Sequence, residues 1–355
     1  MPKDNTIIIQ KNKRNEVFDL ARGIAIILVV IGHSGCPEYL RNFIYLFHMP
    51  VFYTFSGYFF NSKKNIQVFS FIKRKIDSLY KPFVIYSFVF LLFTNIFYKS
   101  HIISKSISLE DFQKLGIHIL IFKNSIPLLP FWFLRSLFII NVIFLFEYTF
   151  MLRRKYDARI LMIINLILFF IGSYFCMNGT HLPLELQREF ILLLFFTFGF
   201  YLKMIPSILK IDNNLYLIIR ILILLVCPFF AKIDLAYSII FNPIVLIVCS
   251  FCGITLLLDF CNFLKQCKQL VITKKILCLC GKHSLAIFAL HFISFKIVSL
   301  IIINIKHLDI NLLTSFPTIK DISPYWWIFY TIIGVLTPLA LNILYTRINN
   351  FKKQR

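Results

Sequence analysis

Two polar side chains bracket the first long apolar run, ARGIAIILVVIGHSG at 21–35. Arg22 opens it and His33 closes it, with no charge between. At about 100° per residue, eleven positions return to within ~20° of the same direction, so both side chains share one helix face, about 16 Å apart along the axis. Arginine is a permanent cation with a fork of donors. Histidine exchanges its proton near neutral pH and can serve as base or nucleophile. Burying an arginine in lipid costs about 2.5–3.5 kcal/mol or more. Snorkelling to the interface answers that cost for Arg22 alone; a cation and an imidazole on one stripe point to chemistry.

The next apolar stretch, FHMPVFYTFSGYFF, adds His48, then Pro50, Ser56 and Gly57. Pro50 has no amide hydrogen to give and disturbs its helix, which frees a carbonyl near His48 that protein or water must satisfy. Ser56 and Gly57 are small enough for close helix packing. Beside His33, His48 becomes a second candidate catalytic residue. Three further polar or amphipathic side chains fall inside apolar runs. His291 lies near the middle of its run and is a candidate to share a cavity with His33 and His48. Arg135 is read either as snorkelling or as binding an anionic acceptor, and Trp132 either as an interfacial belt residue or as a platform for a sugar ring. Asp19, one turn before Arg22, reads as a helix-start residue or an ion-pair partner. The cluster Lys73, Arg74 and Lys75 is read as a plain cytoplasmic loop by composition, or as a counterpart for phosphate charges.

The elements that must hold these residues are transmembrane helices. Of 355 residues, 59% are hydrophobic and only 15% charged, and 42 are Phe; soluble domains run nearer half apolar and a quarter charged. Ten runs of roughly membrane-spanning length fall at 17–36, 40–60, 82–99, 131–151, 160–177, 189–205, 215–231, 238–260, 284–304 and 325–345. The net charge of +22 is spread in short clusters between these runs, which argues against a nucleic-acid partner and for anionic lipid headgroups. Basic clusters fall at Lys3, Lys11, Lys13 and Arg14; at Lys63, Lys64 and Lys73–Lys75; at Arg153–Lys155; at Lys265–Lys282; and at Arg347–Arg355, with Lys203 and Lys210 weaker. Ten crossings put all of them on one side, the cytoplasm, together with both termini.

The expectation is therefore an all-α polytopic protein. It has a cytoplasmic segment at 1–16, a membrane domain at 17–345 and a basic tail at 346–355, with no internal repeat. The part-apolar LGIHILIF inside 100–130 reads as re-entrant or interfacial. The first run, with no small-residue cleavage site after it, reads as a retained span. The nine cysteines, including a CxxC at 249–252, read as small core hydrophobes. No nucleotide-binding GxxxxGK[ST], zinc HExxH, serine-hydrolase GxSxG or extramembrane Asp-x-Asp occurs, and no metal site is expected.

In this order, the Arg-x10-His of the first run, FHMPVFYTFSG, the basic FIKRKIDSLYKPF leading to a Tyr-x-Pro, PFWFLRSLF and GKHSLAIFALHF resemble the membrane-bound acyltransferase family 3. Within it they resemble the fucose 4-O-acetylase-like branch that modifies bacterial surface sugars. The resemblance covers most of the chain. It implies a bacterial inner-membrane enzyme that moves an acyl group, usually acetyl, from cytoplasmic acyl-CoA to a carbohydrate hydroxyl, with acetyl-CoA as donor substrate and no tightly bound cofactor. It implies Arg22 and His33 as the essential pair, with His33 acting as general base or carrying the acyl group. It implies Lys73, Arg74 and Lys75 as the acyl-CoA-associated element, although a clean Arg-x-x-Arg is missing: Asp77 follows Arg74 by three. The acceptor cavity is expected to draw on Trp132, Arg135, His291 and Ser56. The rival readings are a transporter or flippase for lipid-linked saccharides, and the other membrane O-acyltransferase class, whose motifs are not those seen here.

Overall fold

The computed structural model describes residues 15–61, 67–123, 126, 128–157, 159–204, 214–320, 323 and 325–354. Lys3, Lys11, Lys13, Arg14, Lys63, Lys64, Lys210 and Arg355 lie outside the described residues, and with them most of the segment 1–16. Each of the ten apolar runs carries helix. Among the described residues, six helices are long and apolar enough to cross a membrane: Val68–Lys99, Trp132–Arg154 (α7), Arg159–Met177 (α8), Pro243–Gln266 (α11), Ser284–Lys306 (α13) and the helix that begins at Trp326 (α14). α1 (Glu16–His33) starts on Asn15, whose side chain accepts from the Val17 amide, and carries Glu16 and Asp19 in its first turn, where the helix dipole favours negative charge.

The second run is not one helix. It breaks into α2 (Glu38–Tyr45) and α3 (His48–Tyr58), with Phe47 at φ −146° between them. Pro50 thus falls in the first turn of α3, where a missing amide hydrogen is tolerated. The carbonyls freed at the break find side chains: Ser250 Oγ donates to Leu46 O at 2.8 Å, and His48 Nδ1 donates to Ile44 O at 2.8 Å.

The basic cluster Lys73–Lys75 is helical, not a loop. α4 (Val68–Lys75) passes through a wide π-turn at Ile76–Tyr80 into α5 (Lys81–Lys99), and the π-turn absorbs the amide that Pro82 cannot supply. LGIHILIF belongs to α6 (Leu109–Leu120), which opens on a Ser108/Asp111 capping box and packs on α5. Asp111 lies outside the spans, and its hydrogen bonds to Ser108 hold its carboxyl below the ordinary range. The seventh run gives only a short helix, α10 (Asn214–Val226), at about 1.5 Å per residue too short to cross alone. The eighth begins not with helix but with β2 (Ile239–Ile240), which pairs antiparallel with β1 (Ile233–Asp234) in the connection before the run. Asn242 then caps α11, accepting from the Ile244 and Val245 amides, with Pro243 behind it. α12 (Val271–Lys282) lies in the basic connection before α13, and α14 (Trp326–Gln354) runs on through the residues read as a tail.

Two packed groups share the core. α9 (Leu186–Met204) is buried at nearly every position from Gln187 to Leu202 and lies against α3, α7 and α8. α1 packs on α12 and also touches α3, α11, α13 and α14. Small residues make both close crossings: a Cβ on Gly57 would collide with the Phe196 carbonyl, and one on Gly199 with that of Thr54. Gly23 and Gly281 meet the Leu277 and Asp19 carbonyls in the same way. Gly199→Val is therefore expected to separate α9 from α3 and cost about 1–3 kcal/mol, read as a lowered Tm in detergent. An unchanged Tm would show that the two helices do not depend on this approach.

Candidate active site

α1 sets the axis of the site. Arg22, Ile26, Val29 and His33, at i, i+4, i+7 and i+11, all line cavities, so the stripe expected from spacing faces the interior of the bundle. At its Arg22 end lies a cavity of about 280 Å³ between α1, α3, the π-turn, α7 and α13. Its walls are apolar, Phe52, Phe55, Phe133 and Leu134 among them, and Arg22 and Lys75 supply its positive charge. Arg22 is half-buried, 3.8 Å from the Asp19 carboxylate and with its guanidinium 5.1 Å from the centre of the Phe59 ring. Of the three clustered cations, Lys75 alone turns into this cavity. Lys73 and Arg74 are exposed, because one turn of helix sends neighbours in different directions.

At the other end of the stripe lies a larger cavity of about 770 Å³, which His33 lines. Aromatic faces dominate it: Tyr45, Trp132, Trp326, Trp327, Tyr330 and Phe292. Arg41, Asp234, Thr318 and Lys320 supply polar edges. Asp234 belongs to the hairpin, outside the spans. Burial raises its carboxyl pKa, and the Ala236 and Tyr237 amides partly oppose the shift. A third space of only about 20 Å³ lies between the two and is lined by residues of both, with His33, Tyr45 and His48 on its wall.

Tyr45 links the histidines. Its hydroxyl lies 3.4 Å from His33 Nδ1 and 3.4 Å from the Gly32 carbonyl, and its ring sits 4.9 Å from that of His48. When the hydroxyl donates to Gly32 O, it can accept from His33 Nδ1–H, and His33 Nε2 is then left with its lone pair free for a proton. Hydrogen bonds of this length are common in catalytic sites before substrate binds. His291 stacks on His33 at 5.5 Å with an interplanar angle of 24°. It lies behind the cavity and not in it: it is fully buried, its Nδ1 donates to the Phe288 carbonyl at 2.9 Å, and its Nε2 has no partner among the described residues.

Not every expected acceptor residue reaches the large cavity. Trp132 does, on the wall it shares with the narrow space. Ser56 opens instead onto the Arg22 cavity and accepts from Asn141 Nδ2 at 3.2 Å, because α3 turns it two helical turns away from His48. Arg135 points to the helix end, donating to the Leu184 carbonyl at 3.1 Å, and lines neither cavity.

Sequence reasoning passed over the group that braces Trp132. Arg188 lies 4.8 Å above the Trp132 ring, donates to Ala236 O at 3.2 Å and pairs with Glu189 at 3.4 Å. Tyr53 donates to Ser136 Oγ at 2.8 Å, and Ser136 donates in turn to Glu189. Side-chain exposure of 4% and 0% makes Arg188–Glu189 a deeply buried ion pair. The signal was there in two adjacent opposite charges at the head of an otherwise apolar helix.

The family profile of the acyltransferase domain known as acyltransferase 3 matches residues 15–345. The chain belongs to the acyltransferase 3 family. As a member it is a multi-pass membrane enzyme and an acyltransferase, and O-acyl transfer is the activity that the family domain implies. The matched residues run from the start of α1 into α14 and so enclose every side chain of both cavities. No curated protein and no solved structure matches the chain.

Proposed function

We propose that this acyltransferase moves an acetyl group from cytoplasmic acyl-CoA to a hydroxyl of a bacterial cell-surface carbohydrate or its lipid-linked precursor. The setting is the cytoplasmic membrane, with ten crossings and both termini inside, the seventh made by α10 together with the 3₁₀ turn that extends it to Phe229. One observation carries the reading: a single helix stripe joins a basic, otherwise apolar cavity at Arg22 to a wide aromatic and polar cavity at His33. CoA is a polyanion on a flexible arm, and a mouth with Arg22 and Lys75 suits its phosphates. Sugars present C–H faces and a rim of hydroxyls, and a wide pocket that combines Trp and Tyr faces with Asp234, Arg41 and Lys320 suits them. An acceptor of this kind matches the fucose 4-O-acetylase-like branch that the motifs resemble.

In the proposed reaction, His33 Nε2 removes the proton from the acceptor hydroxyl. The oxygen then attacks the thioester carbonyl carbon, the new C–O bond forms, and the C–S bond breaks. The CoA thiolate leaves with the electron pair and takes up the proton, giving free CoASH and the sugar ester. Tyr45 holds the His33 tautomer that this needs, and His48 borders the path of the acyl group.

The test is transfer of labelled acetyl from acetyl-CoA in membranes carrying the full chain. Label in a carbohydrate fraction is expected, whereas release of free acetate with no carbohydrate product would sink the acceptor assignment. Lys75→Ala is expected to raise the KM for acetyl-CoA by about tenfold or more, the worth of a charge-assisted contact. Lys73→Ala and Arg74→Ala, which remove exposed and salt-screened charges, are expected to raise it less. Equal effects from all three would mean that the cluster acts only as a diffuse field.

A further inference from the structure

The Arg22 cavity and the His33 cavity have no wall residue in common. The narrow space between them is lined by residues of both. Val29, Met49 and Phe288 are the three residues that line both the Arg22 cavity and that space. Its volume is about 20 Å³, and a site needs roughly 10–15 Å³ on the same scale to admit one water molecule. It therefore has room for a group of methyl size and none for a chain.

The three side chains cannot easily retreat. Val29 is 2%, Met49 5% and Phe288 6% exposed. Phe288 is wedged edge-on against Phe133 at 5.3 Å and lies 6.3 Å from both Phe131 and His291. Val29 sits one turn before His33 on α1, a helix held against α12 at its other end by the Gly23–Leu277 contact. Met49 is the one adaptable member. It follows His48 directly, and the break between α2 and α3 sets the position of both.

We infer that Val29, Met49 and Phe288 determine the length of the acyl group this enzyme transfers, admitting acetyl and excluding butyryl and longer chains. The inference rests on the donor entering by the Arg22 cavity, as proposed above. The acyl group is the leading end of the donor, so with the thioester at this mouth it occupies the narrow space that His33 lines, and each added methylene must fit there beside these three side chains. One methylene in a tight apolar pocket changes discrimination by about 10–200-fold.

The experiment compares initial rates with acetyl-, butyryl- and hexanoyl-CoA for the full-length wild type, Val29→Ala and Phe288→Ala in membranes, with insertion verified by detergent extraction and size exclusion. The wild type is expected to strongly prefer acetyl. The hexanoyl-to-acetyl rate ratio is expected to rise about tenfold or more in Phe288→Ala, and the butyryl-to-acetyl ratio in Val29→Ala. Ratios unchanged in both variants with acetyl transfer retained, or a wild type that uses hexanoyl as readily as acetyl, would overturn the inference while leaving the donor reading intact. No acetyl transfer from CoA by the wild type would instead remove the donor reading, and the gate with it. If Phe288→Ala fails to insert, Val29→Ala, a far smaller change in volume, decides alone.

Discussion

Replacing His33 by alanine is expected to lower acetyl transfer by about 10²–10⁴-fold, the usual contribution of a positioned general base, while acetyl-CoA still binds. The two effects separate because the site is divided. His33 lines the large and the narrow cavities but not the one that holds Arg22 and Lys75. Donor affinity, read as the CoA-dependent rise of Tm in detergent, should therefore persist in His33→Ala when kcat is lost. His33→Gln preserves size and hydrogen bonding but not the basic nitrogen, so it should be equally inactive. Tyr45→Phe keeps the imidazole and removes the partner of Nδ1, and should give an intermediate loss. Full activity in His33→Gln would reduce His33 to a packing residue and move the base elsewhere, with His48 the next candidate on the same wall.

The second large effect is expected at the buried pair behind Trp132. Glu189→Leu leaves the Arg188 guanidinium without its counter-charge in the interior, and breaking one side of such a pair costs about 3–5 kcal/mol. The double variant Arg188→Met/Glu189→Leu should be markedly more stable than the single one, since a buried pair replaced by apolar groups of similar volume is often neutral. Function should not follow stability. Without the guanidinium, both the face of Trp132 and the Ala236 carbonyl lose their support, so the double variant should recover Tm but retain a raised KM for the acceptor. A double variant as unstable as Glu189→Leu would show that the pair contributes through packing and not through charge compensation.

How far the site was legible in the chain depended on the kind of signal. The stripe from Arg22 to His33 followed from helical periodicity alone, because a regular helix fixes direction over eleven residues. The proximity of His33 and His48 was approached through motif order, but the residue that joins them, Tyr45, was not singled out. Its relation to both depends on the break at Leu46–Phe47, which composition does not mark. Of Lys73, Arg74 and Lys75, sequence offered no choice; only the rotation of α4 and the π-turn below it selects Lys75. Of the hairpin at 233–240, only β2 fell inside an apolar run, since a two-residue strand and a helix end read alike in hydropathy. The helix-start pair Asn242–Pro243 went unread, and the run was begun at 238 instead. Arg188 and Glu189 escaped because charges at the start of an apolar helix usually lie at the membrane interface, whereas here tertiary packing buries them.

The near-complete burial of α9 also bears on how the molecule is made. A helix with no lipid-facing side has no satisfactory solvent until its neighbours exist. α3, α7 and α8 precede it on the chain, but the rings of Phe195 and Phe198 close against Phe251 of α11, which is synthesised later. Arg188 has the same dependence, because its hydrogen bond to Ala236 waits for the hairpin. During biosynthesis α9 must therefore remain with the insertion machinery, or in a provisional setting, until about sixty further residues have emerged. Its final place is a property of the assembled bundle and not of its own hydrophobicity.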